Sequence, residues 1–297
     1  MAKQSSSERT KGKSGWKFRL RAPQRVKQIA LLPTVLTLIN GICGFYAIIR
    51  IAQGLMEASK GNTSHDHFKF AAILILIAMV FDALDGRVAR MTKTASNFGA
   101  QLDSLCDLVT FGVTPAFLVY AVSQSDNFLP PRVLEVFSIL YLMCALIRLA
   151  RFNVETNISE KSHMVFAGLP SPAAAGVIAS AVIPWTAFPE FGPLHNFSEY
   201  ILKALPIITA ALALLMVSRV PYIHLGNQFL RGVRPFVTLV EFMVLAVILA
   251  LLHEFALFLA FMGYALVGPT LWIKLRLLRK RNSEKPSTKQ DPDDTLF

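Results

Sequence analysis

Residues 81–107 read FDALDGRVARMTKTASNFGAQLDSLCD and place four aspartates at the junction of two apolar stretches, at Asp82, Asp85, Asp103 and Asp107. An ionised carboxylate in a bilayer costs about 3 to 10 kcal/mol or more, so an acid inside a membrane segment indicates a functional site. Acids this close together repel one another unless positive charge compensates them. Divalent metal ions supply such charge. The stretch therefore predicts a membrane enzyme that holds metals.

The rest of the chain has the composition of a polytopic membrane protein. Of its 297 residues, 54% are hydrophobic and 16% are charged, whereas soluble domains carry about 25% charged residues. A helix needs about 20 apolar residues to cross the bilayer. Eight stretches are long enough: 29–54, 68–91, 97–121, 131–153, 169–188, 199–219, 235–253 and 255–277. We therefore predict an all-α fold. Because only His253 and Glu254 separate the last two stretches, these form either a tight hairpin or one bent, partly re-entrant segment.

The distribution of basic residues predicts the topology. Placing the N-terminus inside puts 25 of the 30 Lys and Arg residues on the cytoplasmic side, as the positive-inside rule requires. Both termini and the four acids would then lie on the cytoplasmic side of the cell membrane. No basic stripe with interleaved aromatics crosses a folded region, which argues against nucleic acid. Basic clusters beside membrane spans are typical of contact with anionic lipids.

The chain divides into four predicted regions. Residues 1–28 form a basic tail, in which 16–28 is either a helix lying in the headgroup layer or a disordered basic segment. Residues 29–220 hold six spans, 221–277 two further spans, and 278–297 a polar cytoplasmic tail. The cysteines lie in apolar stretches without a CxxC pair or a nearby histidine, so we expect reduced packing thiols and no zinc site.

Helical spacing gathers small residues beside the acids. Residues three, four and seven apart share a helix face. One face therefore carries Asp82, Asp85, Gly86 and Ala89, and the next helix presents Gly99, Asp103 and Asp107. The small residues leave room for a bulky ligand, and Arg90 lies where it could bind a phosphate bidentately. The alternative is that the acids are helix caps or ion-pair partners of Arg87, Arg90 and Lys93.

The ligand chemistry of the four acids favours hard cations. Carboxylate oxygens prefer Mg²⁺ or Mn²⁺ to softer metals. Two such ions about 3.5–4 Å apart clamp a phosphorus centre during in-line displacement. We therefore expect two Mg²⁺ or Mn²⁺ ions and a phosphate-containing substrate.

The run D-x2-D-G-x2-A-R-x8-G-x3-D-x3-D, which spans 82–107, resembles the CDP-alcohol phosphotransferase signature at every fixed position. The resemblance implies a six-helix membrane core, a homodimer, and cleavage of a CDP-alcohol with release of CMP. It assigns metal binding to Asp82, Asp85 and Asp103, and both metal binding and general-base catalysis to Asp107. Contact with the CDP moiety is assigned to Gly86, Ala89, Arg90 and Gly99.

Three further stretches narrow the resemblance. They are LTLINGICGF at 36–45, IRLARFNVE at 147–155 and GLPSPAAA at 168–175. All three are similar to the CDP-diacylglycerol–serine O-phosphatidyltransferase branch, which implies CDP-diacylglycerol and L-serine as substrates. That likeness covers about residues 29–220. The two last spans and both tails lie outside it.

The chemistry of the residues distinguishes serine from other acceptors less well than the resemblance does. Arg148 and Arg151 lie three apart on one face and could bind the serine carboxylate, or could anchor the span at lipid phosphates. Glycerol phosphate or inositol phosphate would also require basic residues, whereas choline would favour an aromatic cage. Thr37 and Asn40 either contact the CDP-lipid or bond to backbone and neighbouring helices. A divalent cation transporter is the alternative of another class, although its acids would be spread over several helices near the midplane.

Overall fold

The computed structural model describes residues 31–61, 65–92, 97–125, 129–158, 168–187, 193–220, 222 and 254–283. Every regular element in these ranges is helical, which confirms the predicted all-α fold. The helices are α1 (Leu31–Ser59), α2 (His65–Thr92), α3 (Asn97–Asp107), a π-helical turn (Leu108–Val113), α4 (Thr114–Ser125), α5 (Pro131–Ile158), α6 (Ser171–Ala187), α7 (Pro193–Val217) and α8 (Glu254–Ser283).

Six of these helical segments are long and apolar enough to cross a membrane, so the chain is an integral membrane protein. They are α1, α2, the continuous α3–π–α4 segment, α5, α7 and α8. The fifth predicted span is the 17-residue α6, which is shorter than the others. The predicted span 235–253 and the tail 1–28 lie outside the described residues. Of the predicted tail 278–297, residues 284–297 also lie outside them. The four-region division therefore stays a prediction.

Helix α6 forms the centre of the bundle. A helix that is apolar on every side is expected to be buried on every side, and α6 has that composition, SPAAAGVIASAVIPWTA. Its residues from Ala174 to Val182 are all buried. It packs against α2, α7 and α8. The shortness of α6 therefore goes with its position inside the bundle, where its neighbours cover it.

Small residues bring α1 into close contact with the third span. A Cβ atom built on Gly44 would lie 2.3 Å from Thr110 Oγ1 and 2.8 Å from Thr110 Cα, so only glycine fits there. The hydroxyls of Thr110 and Thr114 donate to the backbone oxygens of Asn40 and Gly44, each at 3.1 Å. Close approach over small residues and interhelical hydrogen bonds are the usual means of packing membrane helices. This contact positions Thr37 and Asn40 beside the acids.

A π-helical turn, Leu108–Val113, begins directly after Asp107. Such turns insert one residue into an α-helix and occur frequently at functional sites. The Tyr141 hydroxyl donates to the Phe111 carbonyl at 3.1 Å, and the Thr114 hydroxyl lies 2.8 Å from the Val109 carbonyl oxygen. The turn directly follows the acids of α3 and contains the buried residues Thr110 and Phe111. The apolar pattern of the sequence did not predict it.

Candidate active site

Three carboxylates meet between α2 and α3. One oxygen from each of Asp82, Asp85 and Asp103 lies within 4.8 Å of the others. Asp85 is buried, and Asp82 and Asp103 are half-buried. Asp82 and Asp85 are one turn apart on α2, and Asp103 faces them from α3, as the helical spacing predicted. Like charges at this separation repel strongly unless a cation or protons lie among them.

The carboxylate oxygens fit a hard divalent cation. Asp103 Oδ1 is buried and has no hydrogen-bond partner within the described part of the chain. A buried polar atom without a partner is costly and is usually explained by a ligand or water. Three converging carboxylates also form the oxygen-only donor set that Mg²⁺ and Mn²⁺ prefer. The site is therefore compatible with a divalent metal, as the sequence indicated, while the metal's identity and the number of ions stay predictions.

The fourth acid, Asp107, lies next to this cluster without being part of its closest set. It is within electrostatic range of Asp82 and Asp103. Its Oδ1 accepts a hydrogen bond of 2.9 Å from Asn40 Nδ2. Carboxylates this close repel one another unless a cation or a proton lies among them. Asp107 is thus held beside the cluster by the amide of Asn40.

Helix α1 supplies the polar contacts to the acids. The Thr37 hydroxyl lies 2.8 Å from Asp85 Oδ2 and 3.0 Å from the Pro33 carbonyl oxygen. Asn40 is fully buried and contacts Asp107. These bonds match one of the two predicted alternatives, namely contact with neighbouring helices and backbone. Contact of Thr37 and Asn40 with a CDP-lipid stays a prediction.

The small residues of the signature lie near the acids, and the space beside one of them, Gly86, is open. A Cβ atom on Gly86 would meet no atom within 4 Å. Ala89 lies one turn further along α2, and Gly99 lies in the first turn of α3; both are half-buried. Arg90 belongs to α2 by its backbone, but its side chain lies outside the described part of the molecule. The predicted room for a bulky ligand is therefore present at Gly86.

The two candidate acceptor residues differ in their contacts. Arg148 is half-buried and donates through Nη1 to Ser171 Oγ at 2.7 Å. Its guanidinium is within electrostatic range of Asp107 and Asp82. Arg151 is half-buried one turn further along α5. These contacts relate Arg148 to the acids, and acceptor binding by either residue stays a prediction.

Sequence reasoning missed several residues around Arg148. Ser171 was visible only as part of GLPSPAAA, and Tyr264 belongs to a helix that had no assigned role. Electrostatic interactions link Arg148 to Tyr264 and to the buried Tyr141. Tyr141 lies seven residues before Arg148, which is the same face of α5 after two turns. This seven-residue spacing is the one sequence signal that could have indicated that Tyr141 and Arg148 lie close together.

The described part of the chain is an all-helical membrane bundle whose carboxylate cluster fits a divalent metal and lies beside open space at Gly86. Residues 30–217 match the CDP-alcohol phosphatidyltransferase family, and the chain belongs to that family. The match covers α1 to α7 and every acid of the cluster. The inferred resemblance is thereby confirmed.

Curated relatives have related names. The chain is 36% identical over 148 residues to CDP-diacylglycerol–serine O-phosphatidyltransferase of Saccharomyces cerevisiae, and the aligned residues make up 48% of this chain and 50% of that protein. It is 32% identical over 201 residues to archaetidylserine synthase of Methanothermobacter thermautotrophicus, and these residues make up 67% of this chain and 72% of the relative. A Helicobacter pylori CDP-diacylglycerol–serine O-phosphatidyltransferase is 42% identical over 116 residues, covering 39% and 47%. The chain thus spans about half the length of the yeast and H. pylori proteins.

Proposed function

We propose that this protein transfers the phosphatidyl group of CDP-diacylglycerol to L-serine, forming phosphatidylserine and releasing CMP. The observation that supports it most directly is the acid cluster of Asp82, Asp85 and Asp103 in a chain of the CDP-alcohol phosphatidyltransferase family. Serine is the headgroup in the names of all three relatives described above. Glycerol phosphate, inositol phosphate and choline are the competing acceptors within the same family.

In this proposal the four acids bind two Mg²⁺ or Mn²⁺ ions. A divalent metal held by these residues would supply positive charge to offset that of the pyrophosphate and of the leaving CMP. Asp82, Asp85 and Asp103 hold metal, and Asp107 adjoins them as a fourth ligand. The orphaned Asp103 Oδ1 and the closeness of the three carboxylates support this assignment.

Asp107 accepts the proton of the serine hydroxyl as that oxygen attacks the lipid-linked phosphorus. A general base must lie within hydrogen-bond reach of its proton donor and keep a defined orientation. Asn40 supplies that orientation through its 2.9 Å bond to Asp107 Oδ1. The P–O bond to CMP breaks as the new P–O bond to serine forms, so no phosphatidyl-enzyme intermediate is required.

The remaining site residues bind the two substrates. The open space at Gly86, with Ala89 and Gly99 nearby, accommodates the CDP moiety, and contact with the CDP-lipid is also assigned to Arg90, Thr37 and Asn40. Arg148 and Arg151 bind the serine carboxylate, because a guanidinium pairs with a carboxylate in a bidentate fork. We further propose that the site and both termini face the cytoplasm, that anionic lipids contact the basic ends, and that the protein is a homodimer.

The purified protein, in detergent micelles with CDP-diacylglycerol and either Mg²⁺ or Mn²⁺, provides the test. We expect CMP release and labelled phosphatidylserine only when serine is added. Activity with glycerol phosphate, inositol phosphate or choline in place of serine would retain the family reaction and exclude serine as the acceptor. Metal uptake by vesicles that contain the protein, without CMP release from any acceptor, would favour a cation transporter instead.

A further inference from the structure

The guanidinium of Arg148 lies where three elements meet. Arg148 is on α5, Ser171 begins α6, and Tyr264 lies on α8. The matched family region ends at residue 217, so α8 lies outside it. The proposed reaction alone assigns no role to α8.

Ser171 is a rigid partner for Arg148. It is 3% exposed, and its Oγ accepts the 2.7 Å hydrogen bond from Arg148 Nη1. The chain before it is held by the end of α7, because the Gly168 and Leu169 amides donate to the Val220 and Leu215 carbonyls at 2.9 and 3.1 Å. Gly168 has a φ of +98°, which favours glycine. The backbone that leads into Ser171 is therefore held against the segment that ends α7.

Helix α8 is docked closely against the same region. A Cβ atom on Gly176 of α6 would lie 2.6 Å from Phe261 Cε1, so the Phe261 ring packs directly on the α6 backbone. The Tyr222 hydroxyl donates to the Ala265 carbonyl at 2.9 Å, and the Tyr222 and Tyr264 rings have centroids 6.0 Å apart. These contacts lie on either side of Tyr264, which is within electrostatic range of Arg148.

We propose that Ser171 and Tyr264 position the Arg148 guanidinium for the carboxylate of the acceptor, and that α8 is thereby part of the acceptor pocket. This inference rests on the proposed function. A guanidinium has five N–H donors in a planar fork. Ser171 engages one nitrogen, and the phenol of Tyr264 interacts electrostatically with the guanidinium, so that the remaining donors of the fork stay available to the acceptor.

The physical consequence is preorganisation. A free arginine side chain loses about 2 kcal/mol of rotamer entropy when it is immobilised, and a ligand that must immobilise it binds more weakly. Holding Arg148 before serine arrives removes part of that cost. Because the effect concerns acceptor binding, the step at phosphorus should be nearly unaffected by loss of either positioning residue.

The test compares Ser171→Ala and Tyr264→Phe with wild type at varied serine concentration. We expect KM for serine to rise about tenfold for Ser171→Ala, which removes a hydrogen bond to a charged group, and about fivefold for Tyr264→Phe, which removes a phenol dipole near the same charge. The kcat and the KM for CDP-diacylglycerol should stay within about twofold of the wild-type values, because the two substitutions affect acceptor binding alone. Ser59→Ala and Tyr200→Phe, at exposed positions, serve as matched controls.

A coupling measurement separates positioning from general packing. In an Arg148→Lys background, where the fork is absent, Tyr264→Phe should cause no further rise in KM for serine, because the two residues act on one interaction. Additive effects would overturn the inference, as would an unchanged KM in both single variants of an active enzyme. Wild-type protein that fails to use serine would contradict the proposed function and this inference together.

Discussion

Asn40 Nδ2 donates a 2.9 Å hydrogen bond to Asp107 Oδ1 and thereby joins the middle of the first helix to the fourth acid of the cluster. Asn40 is fully buried, and Thr110 in turn donates to its backbone oxygen. A neutral amide orients a carboxylate without cancelling its charge. Two elements far apart in sequence thus define the orientation of one candidate base.

The contact predicts that Asn40→Ala slows turnover sharply. A positioned general base contributes about 10²–10⁴-fold, and loss of its orienting donor should remove a large part of that, about 10- to 100-fold in kcat. Asp107→Asn should abolish turnover while the protein still elutes as a monodisperse peak, because the amide has nearly the same shape. Both rates are measured as CMP release under saturating substrates.

Gln124→Ala is the control for Asn40→Ala, since Gln124 is an exposed polar residue at the far end of α4. It should leave kcat unchanged. A normal rate for Asp107→Asn would remove that residue's role as base. If Asn40→Ala alone were normal, the hydrogen bond would have no part in orienting the carboxylate.

Metal binding should stabilise the folded protein. A ligand that binds only the native state adds about 2.7 kcal/mol at 100 times its Kd, so saturating Mg²⁺ or Mn²⁺ should raise Tm in detergent by several degrees. Asp103→Asn should abolish the rise, because the carboxylate that carries the orphaned Oδ1 is lost. The measurement is a melting curve with and without metal after treatment with a chelator.

Asp66→Asn is the matched control for the metal experiment. Asp66 is an exposed acid in the first turn of α2, at the opposite end of that helix from the cluster. Its variant should show the full increase in Tm. Equal increases for wild type and Asp103→Asn would place the metal at another site.

Gly44→Ala should destabilise the bundle. The added Cβ would lie 2.3 Å from Thr110 Oγ1 and 2.8 Å from Thr110 Cα, and the second of these atoms belongs to the backbone. The two helices must then move apart, and overpacking of this kind costs about 1–3 kcal/mol. We expect a lower Tm and weaker activity, because the same contact supports Asn40 and Thr37. An unchanged Tm would show that α1 and the third span are less tightly packed than the contact indicates.

The apolar spans and the acid faces were predictable because they follow from periodicity and from the cost of burying charge. Asp82, Asp85 and Asp103 converge as helical spacing required. The π-helical turn after Asp107 was not predictable, since LVTFGV is as apolar as a regular helix. The roles of Ser171 and Tyr264 were not predictable from the sequence either. Their contact with Arg148 depends on how α6 and α8 pack, and no local pattern encodes that packing.

Gly86→Ala provides the complement to Gly44→Ala. A Cβ atom on Gly86 meets nothing within 4 Å of the protein, and alanine is favoured over glycine in a helix by about 0.5–1 kcal/mol. The variant should therefore melt at or slightly above the wild-type Tm. If the CDP moiety occupies the open volume there, the KM for CDP-diacylglycerol should rise while that for serine stays constant, and Gly86→Leu should be inactive yet folded. Normal kinetics for Gly86→Leu would mean that the nucleotide binds elsewhere, because no leucine side chain could share that volume with it.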